Sequence, residues 1–259
     1  MYKYLSASTH GATLRLALNR PDVYNAFHRG MALELRRALA EADHNPEVRA
    51  VLLTGEGKAF CSGQDLSEAI DPQGPGLDRI LGEHYNPLVL QMRSLRKPVV
   101  VAVNGVAAGA GANLALAGDV VLAAQSAKFI QAFSKIGLIP DTGGTLTLPR
   151  LAGFAKASAW MMLAESISAE EAERHGLIYR VVADEALADE AMAVAQKLAA
   201  MPTEALALTK EALNATVFHG FAEQLALERA LQNRAGATAD FAEGVAAFLE
   251  KRQPQFRGQ

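Results

Sequence analysis

The hydrophobic positions in the first half of the chain fall into short, nearly continuous runs. Arg49 to Thr54 and Pro98 to Val103 are rich in apolar residues and are followed by turn residues. Such runs are typical of strands that are covered on both faces of a sheet. Leu14 to Leu18 alternates in polarity, and Val120 to Ala123 and Phe129 to Phe133 are shorter strand candidates. We therefore expect a sheet with buried strands.

Helical spacing of apolar residues is present in Met31 to Ala42 and becomes dominant after residue 141. Ser168 and Glu171 form a capping box that predicts the start of a helix, and Gly176 predicts its end. Four further helices are predicted at Ala186 to Ala200, Thr203 to Ala215, Phe221 to Asn233 and Phe241 to Lys251. The alternation of strands and helices followed by a helical tail predicts an α/β fold.

The 259 residues are enough for one large core with a smaller appendage. We expect an α/β core over residues 1–200 that carries the active site, and a C-terminal helical region over residues 201–259. The segment Asp71 to Gly76, rich in glycine and proline, is the best candidate for a mobile loop.

Charge and composition exclude several classes of protein. A net charge of -3 and a pI near 6.1 do not suit a nucleic-acid binder, which usually carries concentrated basic charge. No signal peptide and no apolar run near the ~18 residues of a membrane span is visible. The single cysteine, Cys61, fits a reducing compartment and a small buried side chain. We expect a cytoplasmic protein that binds neither nucleic acid nor membrane.

Several common catalytic and cofactor motifs are absent or incomplete. Gly109-Ala-Gly111 follows a strand, but Leu114 stands where a dinucleotide fingerprint needs a third glycine. The six histidines are scattered, and no cluster with metal-ligand spacing is visible. No G-x-S-x-G elbow is present. We therefore predict no metal and no separate cofactor.

Two glycine-containing turns remain, each after a predicted strand and before an apparent helix. The first covers residues 58–66, KAFCSGQDL, and the second covers residues 104–113, NGVAAGAGAN. Backbone N–H groups at helix starts can hold a negatively charged oxygen, so two such turns could form an oxyanion hole. Alternatively, the glycines only allow close packing of helix against strand. The turns alone leave both interpretations open.

The order of motifs resembles the crotonase (enoyl-CoA hydratase/isomerase) superfamily. The matching segments are LNRPDVYNAF, KAFCSGQDL, KPVVVAVNGVAAGAGANLALAGDVV, IGLIPDTGGT and EGVAAFLEKRQPQF. The resemblance implies repeated ββα units, with C-terminal helices that build homotrimers or dimers of trimers and close the site. It implies an acyl-CoA substrate whose thioester carbonyl is held by the N–H groups of Gln64 and Ala110.

The chain departs from the enoyl-CoA hydratases of that family at both of their glutamates, which align with Asn113 and Phe133. Neither side chain can exchange a proton as ordinary hydration requires. Asp141 lies in the IPDTGG turn, where several family isomerases resemble this chain in carrying an acid. We predict that Asp141 is the catalytic acid/base, that Ile139 and Pro140 help to enclose it, and that Phe133 forms an apolar wall. Asp141 could instead cap a helix that begins near Gly143.

The resemblance also implies a set of residues that contact the substrate or its coenzyme A moiety. Lys58, Phe248 and Lys251 are the candidates for contact with coenzyme A, the last two in a neighbouring subunit's site. Lys251 could equally be a favourable cation at a helix C-terminus. Asp65 is expected to have a structural role at a helix start. The remaining predicted contacts are Ala26, Ser62, Gly63, Leu66, Gly109 and Phe133.

Within the family, four segments are most similar to isomerases of bacterial phenylacetate degradation, namely GLIPDTGG, GVAAGAGA, NPLV at Asn86 to Val89, and the EKRQPQF ending. This similarity implies conversion of a ring-epoxide CoA thioester into an oxepin thioester, and of 3-enoyl-CoA into 2-enoyl-CoA. Alternatives are an enoyl-CoA hydratase, a thioester hydrolase or dehalogenase in which Asp141 is the nucleophile, and a non-catalytic binding member of the fold.

Overall fold

A computed structural model describes residues 2–259 as two sheets surrounded by helices. The strands are β1 (Leu5–His10), β2 (Thr13–Leu18), β3 (Ala50–Gly55), β4 (Ala59–Cys61), β5 (Val99–Val103), β6 (Val106–Ala108), β7 (Val120–Ala124), β8 (Lys128–Ile130), β9 (Ser166–Ser168) and β10 (Arg180–Val182). The α-helices are α1 (Arg29–His44), α2 (Leu66–Ile70), α3 (Gly76–Arg79), α4 (Asn86–Ser94), α5 (Ala110–Leu116), α6 (Gly144–Ala152), α7 (Phe154–Leu163), α8 (Ala169–Arg174), α9 (Leu187–Ala199), α10 (Thr203–Ala215), α11 (Phe221–Gly236) and α12 (Ala239–Glu250).

The larger sheet has six strands in the order β1-β2-β3-β5-β7-β10. The first two strands form an antiparallel hairpin, and each later neighbour is parallel. Both β3 and β5 are buried along their whole length, which explains why their sequences read as unbroken apolar runs. The predicted central strands are therefore confirmed.

The smaller sheet has four strands in the order β4-β6-β8-β9, and β4, β6 and β8 are parallel. Three times in succession a strand of the large sheet is followed by a strand of the small sheet and then by a helix: β3-β4-α2, β5-β6-α5 and β7-β8-α6. This repetition confirms the expected ββα units. Because the carboxyl ends of parallel strands meet at one edge, it brings three connecting turns together.

Helix α1 shows how the helices cover the sheets. Met31, Leu35 and Leu39 recur at helical spacing and are all buried. Burial of a leucine side chain contributes roughly 1.5–3 kcal/mol to folding. The side chain of His28 accepts a hydrogen bond from the Met31 N–H and caps the helix start.

The sequence predicted only one of the four short strands of the smaller sheet, β8. Strands β4, β6, β8 and β9 are only three residues long, too short for a periodic pattern to be visible. The predicted strand Phe129 to Phe133 is too long, because β8 ends at Ile130 and Phe133 lies in a 3₁₀ helix, Ala132–Ile136. A π-helix, Ile80–Tyr85, runs directly into α4.

The last three helices follow Pro202 and are joined to the core through Arg49. Its guanidinium donates hydrogen bonds to the Thr203 hydroxyl (2.9 Å) and to the Phe256 carbonyl (2.8 Å). The proposed division between residues 1–200 and 201–259 stays a prediction. Within residues 2–259, no helix combines the length and the apolar character needed to cross a bilayer.

Candidate functional site

Three turns meet at the carboxyl edge of the smaller sheet, after β4, β6 and β8. The first two are in close contact, because a Cβ at Gly63 would lie 2.8 Å from the Ala108 carbonyl oxygen and 3.7 Å from the Ala110 nitrogen. Gly63 has a φ of +98°, which other residues rarely adopt. A Cβ at Gly111 would lie 2.4 Å from the Cys61 carbonyl oxygen. Gly111 therefore has the packing role that the sequence left open, and Gly63 allows the two turns to approach each other.

The turns surround a largely apolar cavity of about 300 Å³. This is the lower end of the range usual for ligand pockets, roughly 300–1,000 Å³. Among its lining residues are eight of the sequence-predicted site residues, namely Ser62, Gly63, Gln64, Leu66, Gly109, Ala110, Phe133 and Asp141. The rest of the lining is Ala69, Leu77, Ile80, Leu81, Tyr85, Ala132, Lys135, Ile136 and Leu138.

Asp141 is the only carboxylic acid among these lining residues. One of its carboxylate oxygens accepts a hydrogen bond from the Thr142 hydroxyl at 2.7 Å. Gly143 is the N-cap of α6 and no side chain caps that helix, so the carboxylate does not have the capping role considered above. Burial raises the pKa of Asp141, and the hydrogen bond from Thr142 opposes this rise only in part.

Asn113 fixes the backbone of Asp141 from the facing helix α5. Its amide nitrogen donates to the Asp141 carbonyl at 2.8 Å, and its amide oxygen accepts from the Gln131 side chain at 2.9 Å. Asn113 and Gln131 are both buried. A Cβ at Gly144 would lie 2.3 Å from the Asn113 amide nitrogen, so the glycine leaves room for this link. The residue aligned with a hydratase glutamate thus holds the turn that carries Asp141.

The backbone N–H groups of Gln64 and Ala110 lie at the two adjoining turns. The Phe27 N–H donates to the Gly63 carbonyl, and the Phe27 carbonyl accepts from the Asp65 N–H. The N–H of Gln64, between these two residues, takes no part in this pair of backbone hydrogen bonds. Ala110 is the first residue of α5, where N–H groups have no acceptor within the helix. Both groups belong to residues that line the cavity.

Comparisons with known proteins agree with this arrangement. A profile of the family described as enoyl-CoA hydratase/isomerase matches residues 9–259. The chain is 48% identical to 1,2-epoxyphenylacetyl-CoA isomerase of Escherichia coli (strain K12), over 100% of both chains. It is 51% identical to a probable enoyl-CoA hydratase of Rhodobacter capsulatus, over 94% of each. The chain belongs to the enoyl-CoA hydratase/isomerase family.

Its fold is the crotonase fold of that family. The crystal structure of a putative enoyl-CoA hydratase/isomerase from Mycobacterium abscessus superposes with a TM-score of 0.92, at 40% sequence identity, and the match covers 98% of this chain and 100% of that one. An enoyl-CoA hydratase from Bacillus anthracis superposes with a TM-score of 0.95 at 32% identity, covering 99% and 100% of the two chains. The match extends through the C-terminal helices.

Two predicted contact residues of this family member lie beside the cavity and do not line it. Asp65 is the N-cap of α2, accepts a hydrogen bond from the Ser67 N–H, and forms an ion pair with Arg20 at 2.9 Å. These contacts support the expected structural role. The Ala26 carbonyl accepts a hydrogen bond from the same arginine at 2.5 Å. Ala26 precedes Phe27, which bridges to the first turn.

The three residues expected to contact coenzyme A also lie outside the cavity lining. Lys58 is exposed, next to the buried strand β4. Phe248 is 83% exposed and lines a groove between the last helices. Lys251 is the C-cap of α12 with a φ of 55°, a position at which a cation interacts favourably with the helix end. Contacts of these residues with coenzyme A, and the trimer, stay predictions.

Neither Ile139 nor Pro140, the two residues expected to help enclose Asp141, lines the cavity, and Pro140 is half-buried. Ile139, expected to enclose Asp141, is 79% exposed, so this prediction is wrong. Leu138 lines the cavity in its place and follows Gly137, which ends the 3₁₀ helix in the left-handed conformation. Tyr85 and Lys135 line the cavity without any motif to mark them. The segment NPLV, which follows Tyr85 directly, was the nearest available signal.

Proposed function

We propose that the protein isomerises coenzyme A thioesters and that Asp141 is its single acid/base. The acyl group occupies the cavity, and the N–H groups of Gln64 and Ala110 hold the thioester oxygen. The observation that supports this proposal is the presence of one carboxylic acid, Asp141, in an otherwise largely apolar lining. Its raised pKa favours proton exchange over permanent ionisation.

The chemistry needs only one such group. Two N–H donors stabilise the enolate that forms when a carboxylate removes a proton next to the thioester, and loss of one donor typically costs about 3–4 kcal/mol. The protonated carboxyl then returns the proton at another carbon, which moves the double bond. Hydration usually needs a second acid/base, and Asn113 and Phe133 cannot supply it.

For the physiological substrate we propose a ring-epoxide thioester, which the enzyme converts to the isomeric oxepin thioester. The relative from Escherichia coli is a 1,2-epoxyphenylacetyl-CoA isomerase at 48% identity. Phe133 and Tyr85 give the cavity two aromatic walls, which suit a flat cyclic acyl group. Migration of a 3-enoyl double bond to the 2-position uses the same proton transfer.

The test is to incubate the purified protein separately with 3-enoyl-CoA and 2-enoyl-CoA and to identify the products. We expect migration of the 3-enoyl double bond and little addition of water to 2-enoyl-CoA. The ring-epoxide thioester should give the oxepin thioester. Hydration as fast as isomerisation would contradict the proposal, and a covalent acyl-Asp141 adduct in a single turnover would indicate a nucleophilic role instead.

A further inference from the structure

Tyr85 is a buried tyrosine whose hydroxyl has no hydrogen-bond partner. The residue is 1% exposed, and its Oη has no partner within the described residues 2–259. Buried hydroxyl groups are nearly always paired, so an unpaired one calls for an explanation. Because Tyr85 lines the acyl cavity, a bound ligand could supply the missing partner.

The local backbone fixes the position of this ring. Tyr85 is the last residue of the π-helix Ile80–Tyr85, and single π turns inside helices are frequent at functional sites. Its ring stacks on Phe27, with ring centroids 5.3 Å apart and an interplanar angle of 28°. Phe27 in turn bridges to Gln64 in the first turn. The ring is therefore held against a residue that pairs with the turn of the proposed thioester site.

A second unpaired polar atom belongs to Gln64, which lines the same cavity. The Gln64 amide nitrogen donates to Glu68 Oε2 at 2.9 Å and to the Asp65 carbonyl at 3.2 Å. Because a carboxylate only accepts hydrogen bonds, this pairing fixes the amide orientation and leaves Gln64 Oε1 as a free acceptor. That oxygen is buried and has no partner within the described residues. Two residues of the cavity lining therefore each carry a buried, unpaired atom, a donor on Tyr85 and an acceptor on Gln64.

Burial holds the pKa of Tyr85 well above the ordinary value, and the negative charges of neighbouring groups, including Asp141, raise it further. The hydroxyl consequently keeps its proton at neutral pH. It is available as a hydrogen-bond donor and does not act as a base.

We propose that the Tyr85 hydroxyl donates a hydrogen bond to an oxygen atom of the acyl group itself. The cavity would then favour CoA thioesters whose acyl group carries an oxygen beyond the thioester carbonyl, with Gln64 Oε1 as an acceptor for a ligand hydroxyl. A pure hydrocarbon acyl group leaves both atoms unpaired, and such sites discriminate against ligands that lack the polar group. The inference rests on the proposed function only in that the acyl group binds in this cavity.

The experiment compares the binding of two unreactive thioesters, phenylacetyl-CoA and 2-hydroxyphenylacetyl-CoA, by titration calorimetry. The variant Tyr85→Phe keeps the ring and its stacking on Phe27 and removes only the oxygen. We expect it to bind the hydroxylated thioester roughly 5-fold more weakly, the effect of one neutral hydrogen bond, and phenylacetyl-CoA unchanged or slightly more tightly. Tyr179→Phe, at an exposed tyrosine, is the control and should leave the binding of both thioesters unchanged.

The outcomes separate this inference from the proposed function. If Tyr85→Phe changes the binding of the two thioesters equally, or changes neither, the hydroxyl does not recognise an acyl oxygen and the inference is overturned. If the unmodified protein binds neither thioester, the acyl-CoA site itself is rejected, together with the inference. Turnover of 3-enoyl-CoA tests the isomerase proposal independently.

Discussion

Two of the three turns at the edge of the smaller sheet carry an aspartate, and the two carboxylates have opposite surroundings. Asp65 lies in the turn after β4, and Asp141 lies in the segment between β8 and α6. Asp65 accepts hydrogen bonds from the Ser67 N–H, the Ser67 hydroxyl and the Arg20 guanidinium. Asp141 accepts one side-chain hydrogen bond, from Thr142, and otherwise lines the apolar cavity.

The pKa of each carboxyl follows from this difference. Burial alone would raise the pKa of Asp65, but the hydrogen bonds from Ser67 and Arg20 lower it. Burial raises the pKa of Asp141, and hydrogen bonds from Thr142 and the backbone oppose this rise only in part. A carboxylate whose lone pairs are already used stabilises the fold, whereas one with free lone pairs in an apolar cavity is available for proton transfer.

The largest expected effect comes from Asp141→Asn, which keeps the size of the side chain and removes the base. Isomerisation of 3-enoyl-CoA should fall at least ~100-fold, the lower limit for loss of a general base. Binding of phenylacetyl-CoA should persist, because the walls of the cavity are unchanged. Single-turnover kinetics and calorimetry measure the two quantities.

Asp65→Asn is the matched control for this comparison and should keep most of its turnover. Equal losses of turnover in the two variants would show that the two aspartates do not differ in their role. Near-normal turnover of Asp141→Asn would contradict the one-carboxylate mechanism outright. The next candidate would be Glu68, although its carboxylate already accepts from the Arg29 N–H and from Gln64.

A smaller effect is expected from Asn113→Ala, which removes the amide that holds the Asp141 backbone. The Asp141 carbonyl and the Gln131 amide both lose a partner, which should lower the free energy of unfolding by about 2 kcal/mol. Turnover should also fall, because the carboxylate is less well positioned. Urea denaturation and steady-state kinetics test both effects.

Asn104→Ala provides the control for that variant. The Asn104 amide donates to the carbonyls of Gly57 and Ala59 and accepts from the Gly55 N–H, and none of these partners belongs to the turn that carries Asp141. The Asn104→Ala variant should be less stable than the unmodified protein but should keep its turnover per folded molecule. If both variants lose turnover equally, the effect of Asn113 is one of general stability and Asn113 does not position Asp141.

Asp65→Asn itself should lower the free energy of unfolding by about 1 kcal/mol, because an asparagine still caps α2 but cannot pair with Arg20. Since the folded pKa of Asp65 is lowered, its contribution is present above the ordinary aspartate pKa and is lost as the pH falls through the folded value. The deficit of the variant should therefore shrink in acid. A constant deficit from neutral to acid pH would show that the charge of Asp65 is not involved.

The sequence allowed the prediction of those features that depend on local chemistry or on an ordered set of motifs. The long buried strands β3 and β5 were visible as apolar runs, and Asp141 was visible because both hydratase glutamates are replaced. The α/β fold was predicted from the alternation of strands and helices, and the ββα repetition was implied by the resemblance of the ordered motifs to the family. These features need only residue type and order.

What could not be predicted depends on contacts between distant segments. Tyr85 lies in a π-helix whose sequence, ILGEHY, carries no chemical motif, and it reaches the cavity only through tertiary packing. The exposure of Ile139 depends on where the 3₁₀ helix ends, although the residue is apolar. The second role of Asn113, as the support of Asp141, requires the distance between α5 and the turn before α6.

The smallest expected effect is a difference in pH dependence that follows from the raised pKa of Asp141. The carboxylate must be ionised to accept a proton, so kcat/KM should fall on the acid side with a midpoint above the ordinary aspartate value of 3.8.

The same raised pKa makes the contribution of Asp141 to the free energy of unfolding change with pH in the direction opposite to that of Asp65. Because the folded state holds the proton of Asp141 more tightly than the unfolded state, ionisation destabilises the fold as the pH rises from the ordinary value through the folded one. Asp141→Asn removes this penalty, so its stability relative to the unmodified protein should increase across that window and then level off. Urea denaturation at several pH values measures this, and a difference that does not vary with pH would show that burial does not shift Asp141.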